Sequence, residues 1–120
     1  MKKVLVVDDS LSVARQLEKI IADSGDFTTV GHAKNGAEAI KMNQTEDPDI
    51  ICMDMNMPGM DGLTALRSLM ALDRDVKVVM VTSLAGVEDI FSEALRLGAK
   101  NVITKPFQAE DVLQILRELS

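Results

Sequence analysis

Short apolar runs and amphipathic stretches alternate along this chain, and the alternation repeats five times. The runs are Val4-Leu5-Val6-Val7, Thr28-Thr29-Val30, Ile50-Ile51-Cys52-Met53, Val78-Val79-Met80-Val81 and Val102-Ile103. Continuous runs rich in β-branched residues predict strands of a parallel sheet covered on both faces, because neither side of the pleat is left for water. The run around Val30 is more polar, which predicts an edge strand.

The stretches between the runs carry helical spacing. Val13, Leu17, Ile20 and Ile21 fall at i, i+4, i+7 and i+8, ahead of a stop at Gly25. Asn35 and Glu38 have capping-box spacing for a second helix containing Ile40. Asp61 is the expected cap of a third, which carries Leu63, Leu66 and Met70. Val87, Ile90, Phe91 and Ala94 mark a fourth that closes at Gly98, and Val112, Ile115, Leu116 and Leu119 mark a fifth. The pattern is (βα)5, an α/β fold of the doubly wound kind, with right-handed crossovers setting helices on both faces. No linker, repeat or low-complexity segment interrupts it.

Length and charge narrow the picture. The 120 residues fit one domain with one core, taken as residues 1–120. A formal net charge of −6 with no Lys/Arg run argues against a nucleic-acid or membrane-surface binder. Cys52 is the one cysteine, so no intrachain disulfide is possible. After Met1-Lys2-Lys3 only four apolar residues precede Asp8, too few for a signal-peptide core, and a cytoplasmic protein is expected.

The chemistry lies where the strands end. The first ends in Asp8-Asp9, the third in Asp54, the fourth in Thr82-Ser83, and the fifth leads into Lys105-Pro106. Open parallel sheets bind ligands outside the carboxyl ends of their strands, at the point where strand order reverses. In a flavodoxin-like order 2-1-3-4-5, Asp8, Asp9 and Asp54 converge there, with Thr82 and Lys105 beside them. Three carboxylates in one crevice repel unless a cation compensates. Mg2+ suits such a site, because it binds one or two carboxylates together with a substrate phosphate. Asp54 is then placed for nucleophilic attack on phosphorus, Lys105 to neutralise phosphoryl oxygens, and Thr82 to donate a hydrogen bond to one of them.

Val4-Leu5-Val6-Val7-Asp8-Asp9-Ser10, Asp54 followed by Met57-Pro58-Gly59-Met60-Asp61-Gly62, Thr82-Ser83, and Lys105-Pro106-Phe107 resemble the receiver domains of two-component response regulators. The resemblance runs from Met1 to Ser120, with all four motifs in order. It supplies the five-stranded 2-1-3-4-5 order, and it implies the following roles. Asp54 is the phosphoacceptor. Asp9 and Asp54 ligate Mg2+ directly, Asp8 does so directly or through water, and the backbone carbonyl of Asn56 is the other protein ligand. Lys105 pairs with Asp54 or its phosphoryl group, and the bond before Pro106 is cis. The donor is a phosphohistidine on a sensor histidine kinase, and a phosphatase is a possible further partner.

One departure from that family concerns the switch. An aromatic residue usually stands three positions before the Lys, where this chain has Val102, and the chain contains no Tyr or Trp. Thr82 and Val102 are the expected switch positions, with Thr82 displacement relayed through the backbone from Leu84 to Val87 rather than by a moving ring. The phosphorylated surface of helix four, strand five and helix five is expected to bind a downstream protein. A chemotaxis-type messenger to a flagellar motor switch protein is the first expectation. A phosphorelay intermediate or phosphate sink is the second, and the receiver part of a larger regulator the third. Leu63-Thr64-Ala65-Leu66 and Val81-Thr82-Ser83-Leu84 also resemble the receiver part of the chemotaxis methylesterase.

Competing chemistries fit less well. An aspartate-nucleophile phosphatase wants a second Asp two residues after the first, where this chain has Asn56. A flavin binder wants a Ser/Thr/Gly phosphate loop after strand one, where Asp8-Asp9 would repel the phosphate. The remaining conspicuous residues have plain readings: Cys52 as a small core residue, His32 as a surface histidine, and Met55, Met57 and Met60 as loop packing. Gly59 and Gly62 serve turn geometry after Pro58.

Overall fold

The apolar runs form strands because their alternate side chains are wanted on opposite faces of one sheet. Val4, Val6, Ile50, Cys52, Val79, Val81 and Ile103 enter one buried layer, while Leu5, Val7, Ile51, Met53, Val78, Met80 and Val102 enter the other. The computed structural model describes residues 1–57, 59–73, 75–83 and 87–120, with the side chains of Val87, Glu88 and Ile90 outside that description. The elements follow in strict alternation: β1 (Lys2–Val7), α1 (Leu11–Asp23), β2 (Phe27–Ala33), α2 (Gly36–Glu46), β3 (Ile50–Asp54), α3 (Gly62–Leu72), β4 (Lys77–Ser83), α4 (Val87–Arg96), β5 (Asn101–Lys105) and α5 (Ala109–Leu119).

The strands pair in parallel in the order β2-β1-β3-β4-β5, the expected doubly wound arrangement. Helices α1 and α5 cover one face through Ala14, Leu17, Ile21, Val112 and Leu116. Helices α2, α3 and α4 cover the other through Ala39, Ala65, Leu66, Leu69 and Ala94. No helix among the described residues is long and apolar enough to cross a membrane.

The helix starts follow local chemistry. Ser10 Oγ accepts from the Val13 N–H, Asn35 Oδ1 from the Glu38 N–H at 2.9 Å, and Asp61 Oδ1 from the Thr64 N–H at 2.8 Å, each satisfying a donor with no intrahelical partner. The reciprocal bond at α2 differs from a strict capping box. Glu38 Oε1 accepts from the Lys34 N–H at 3.0 Å, one residue before the cap itself. Gly25 follows α1 with φ +76°, a conformation that costs a side-chain-bearing residue but not glycine.

Three features depart from the sequence pattern. Strand β2 runs from Phe27 to Ala33, and both of those ends are buried, so the edge strand is longer than its polar centre suggests. Its register against β1 skips one residue between Val4 and Leu5. Phe91 is expected on the apolar face of α4 but is 38% exposed, and α4 packs on β4 and on β5, the edge of the sheet. Pro58 of the third-strand loop motif, Leu84, and the Val87 and Ile90 side chains expected on α4 lie outside the described residues.

Candidate functional site

The carboxyl ends of β1, β3, β4 and β5 open onto one crevice, and the acids sit there because of what precedes them in each strand. Asp8 follows buried Val7, and Asp54 is the last residue of β3, so both carboxylates begin inside the protein: Asp8 is 1% exposed and Asp54 3%. Asp9 is exposed at the rim. Carboxylate oxygens of Asp8, Asp9 and Asp54 all lie within 4.8 Å of one another.

Lys105 reaches this cluster from the end of β5. Its Nζ lies 3.1 Å from Asp54 Oδ1 and 3.4 Å from Asp8 Oδ2. One ammonium facing three ionised carboxylates leaves two negative charges uncompensated. Burial, and then the charge of Asp8, hold the Asp54 carboxyl above its ordinary range, against the hydrogen bond and charge of Lys105 that pull it down. Burial would lower Lys105, but its bonds to and the charges of Asp54 and Asp8 outweigh that and raise it.

Thr82 follows Val81, the register partner of Asp54, and is paired with Thr104 across β4 and β5. Its Oγ1 is buried and has no hydrogen-bond partner among the described residues. Asn56 is exposed just beyond Asp54, and its N–H approaches Asp54 Oδ1 at 3.5 Å, a long contact. The Lys105–Pro106 bond is cis. Thus Asp8, Asp9, Asp54 and Lys105 meet directly, and Thr82 adjoins them. Val102 stands apart: it is 8% exposed and packs in the layer under α2, α3 and α4.

The donor set fits a small hard cation. All three acids offer oxygen, the charge imbalance equals that of a divalent ion, and the exposed Asp9 borders an open cleft lined by Lys34, Asn35, Ala37, Gly59 and Met60. The unpartnered Thr82 hydroxyl suits a further acceptor oxygen brought by a substrate.

Sequence reasoning missed the residues that hold Asp8. The Asp8 N–H donates to Ala33 O at 3.0 Å, Asp8 Oδ1 accepts from the Ser10 N–H at 2.8 Å, and His32 Nε2 lies 2.7 Å from the Asp8 carbonyl. His32 is therefore half-buried against the site rather than a free surface histidine, because the end of β2 lies beside the end of β1. Met55 and Met57 are buried, as loop packing requires, and Cys52 is wholly buried in β3.

Residues 4–117 match the family model of the response regulator receiver domain. The chain belongs to that family. It is 42% identical over 118 residues to the chemotaxis protein CheY of Listeria monocytogenes, covering 98% of each chain. Among solved structures, the response regulator domain of Thermotoga maritima CheB superposes with a TM-score of 0.92 at 37% identity, covering 99% of this chain and 96% of that one. A CheX–CheY complex with BeF3 and Mg2+ from Borrelia burgdorferi gives a TM-score of 0.92 at 35% identity, covering 98% of this chain and 88% of that one. As a receiver domain, this chain carries its acids, its lysine and its strand-end threonine at the carboxyl edge of a flavodoxin-like sheet.

Proposed function

We propose that this receiver is a phosphorylation-activated switch for chemotaxis, in which Asp54 accepts a phosphoryl group from a sensor histidine kinase. The observation that carries the reading is the bond from Lys105 Nζ to Asp54 Oδ1 at 3.1 Å inside a cluster of three carboxylates. Asp54 supplies the nucleophilic oxygen: a new O–P bond forms as the P–N bond of the donor phosphohistidine breaks and the imidazole leaves. No general base is required, since a carboxylate loses no proton in the attack. Lys105 offsets charge on the phosphoryl oxygens, and the Thr82 hydroxyl donates to one of them.

Asp9 and Asp54, with Asp8 directly or through water and the Asn56 carbonyl, would hold Mg2+. When bound, the ion supplies the two positive charges that the cluster lacks and draws a phosphate toward acids that would otherwise repel it. The chain itself is the acceptor and turns over no separate substrate.

The phosphorylated surface of α4, β5 and α5 then binds a downstream protein, with a flagellar motor switch protein as the first choice. The likeness to CheY proteins over nearly their whole length supports residues 1–120 acting as one receiver module. The site is suited to the cytoplasm, where histidine kinases present their phosphohistidine.

Acetyl phosphate with Mg2+, followed by intact-mass analysis, tests the reading. One added phosphoryl group is expected, absent in EDTA and absent in Asp54→Asn. Labelling of Asp54→Asn at the wild-type level would overturn the assignment.

A further inference from the structure

The ladder between β1 and β2 ends where the site begins. Its last backbone rung is the bond from the Asp8 N–H to Ala33 O, after which the chain turns away at Asn35, the cap of α2. The next acceptor, just past the end of β1, is the Asp8 carbonyl, which the departing chain would leave without a backbone donor. The ring of His32 meets it instead, with Nε2 at 2.7 Å. A carbonyl only accepts, so Nε2 is the protonated nitrogen in this contact.

The Asp8 carbonyl and the Asp9 N–H belong to one planar peptide unit. Fixing one edge of that plane fixes the direction in which Asp9 leaves the strand. Among the described residues, no other side chain holds this peptide unit. The Asp9 carboxylate is exposed and has no hydrogen-bond partner among the described residues, whereas Asp8 is also held by Ser10 and Lys105. A loosened peptide plane would leave Asp8 in place and let Asp9 wander, spreading the oxygen cluster.

We infer that His32 is a positioning residue for the cation site, orienting the Asp8–Asp9 peptide so that the Asp9 carboxylate joins those of Asp8 and Asp54. The inference rests on the functional reading above and adds to it a residue outside the acid, threonine and lysine set. Its action needs a donor at the Nε2 position, not an imidazole as such. Gln carries an N–H at nearly the same reach, while Phe fills the space without a donor.

Mg2+ binding measured by calorimetry on wild type, His32→Phe and His32→Gln separates these cases. His32→Phe should weaken Mg2+ affinity about tenfold, close to 1.4 kcal/mol. His32→Gln should stay within about twofold of wild type, by the same arithmetic well under 1 kcal/mol. Acetyl phosphate labelling at saturating Mg2+ should reach the same stoichiometry in all three, with only the Mg2+ concentration needed for half-labelling raised in His32→Phe. Should His32→Phe fail to fold, His32→Ala removes the donor without the ring and carries the test. Wild-type affinity in the donorless variant, or an equal loss in His32→Gln, overturns the inference alone. A wild-type chain that binds no Mg2+ overturns the functional reading and this inference with it.

Discussion

Lys105 Nζ stands 3.1 Å from Asp54 Oδ1, yet the Asp54 carboxyl remains above its ordinary range. The ammonium does not compensate for burial and for the neighbouring charge of Asp8. Without a metal ion, the ionised site is therefore a cost to the fold rather than a support. The same imbalance that destabilises the ionised crevice is what makes it attract a cation.

The sign of that cost sets the first prediction. A carboxyl whose folded-state value is raised contributes stability only while protonated. That contribution is full below the unfolded value of about 3.9 and is lost as pH rises through the folded value. In EDTA at neutral pH, Asp54→Asn should unfold at a higher urea midpoint than wild type, with Lys105 still paired to Asp8. Below about pH 4 the two midpoints should converge. An Asp54→Asn protein less stable than wild type at pH 7 would contradict the charge balance described for this site.

Gly62 gives a second prediction. It begins α3 directly against the end of β3, and a Cβ there would stand 2.5 Å from the Asp54 carbonyl oxygen and 2.8 Å from Met55 Cα. Both neighbours are backbone and cannot swing aside. Gly62→Ala should cost about 1–3 kcal/mol by overpacking and should slow phosphorylation by shifting the end of β3. Gly59 is the control: a Cβ there meets nothing within 4 Å, but its φ of +80° still penalises a side chain by about 1–2 kcal/mol. Urea unfolding and acetyl phosphate labelling would refute this if Gly59→Ala slowed labelling as much as Gly62→Ala.

Cys52 yields the third. Burial within β3 pushes its thiol up to about 12. In the folded protein at pH 8 the thiolate is scarce and the sulfur is out of reach, so iodoacetamide should modify it only as the chain unfolds. Modification should follow urea concentration along the unfolding transition. Fast labelling in native buffer would show that β3 opens locally.

Much of this was legible in the sequence because each signal is local. Ile50-Ile51-Cys52-Met53 reads as a two-faced strand from four residues, and Asn35 and Asp61 announce their helices from a spacing of three. The site acids were legible because each closes an apolar run at the same end of the sheet. What stayed hidden depends on neighbours distant in the chain. His32 has no local partner to mark it; it meets Asp8, 24 residues away, only because β2 lies beside β1. Phe91 follows the helical spacing of its neighbours, but spacing does not reveal that α4 reaches the sheet's edge.

The last prediction separates Thr82 from Val102 as carriers of the switch. Thr82 is 1% exposed, and its hydroxyl has no partner among the described residues. Leaving such a group unsatisfied costs about 1–3 kcal/mol. Thr82→Val keeps the shape and removes the hydroxyl, so the metal-free fold should gain on the order of 1 kcal/mol. The same change takes away the donor proposed for the phosphoryl oxygen, so the response to phosphorylation should fall. Val102 has the opposite balance. It is packed in the core at 8% exposure, and Val102→Ala should cost about 2 kcal/mol through lost burial and a small cavity. Its short β-branched side chain has few χ1 options, so it has little motion to transmit. Urea unfolding in EDTA measures the first effect. Amide shifts at Asn101 to Ile103, on adding beryllofluoride with Mg2+, measure the second. The shifts should shrink strongly in Thr82→Val and persist in Val102→Ala. A folded Val102→Ala protein that loses them, beside a Thr82→Val protein that keeps them, would place the switch at Val102 instead.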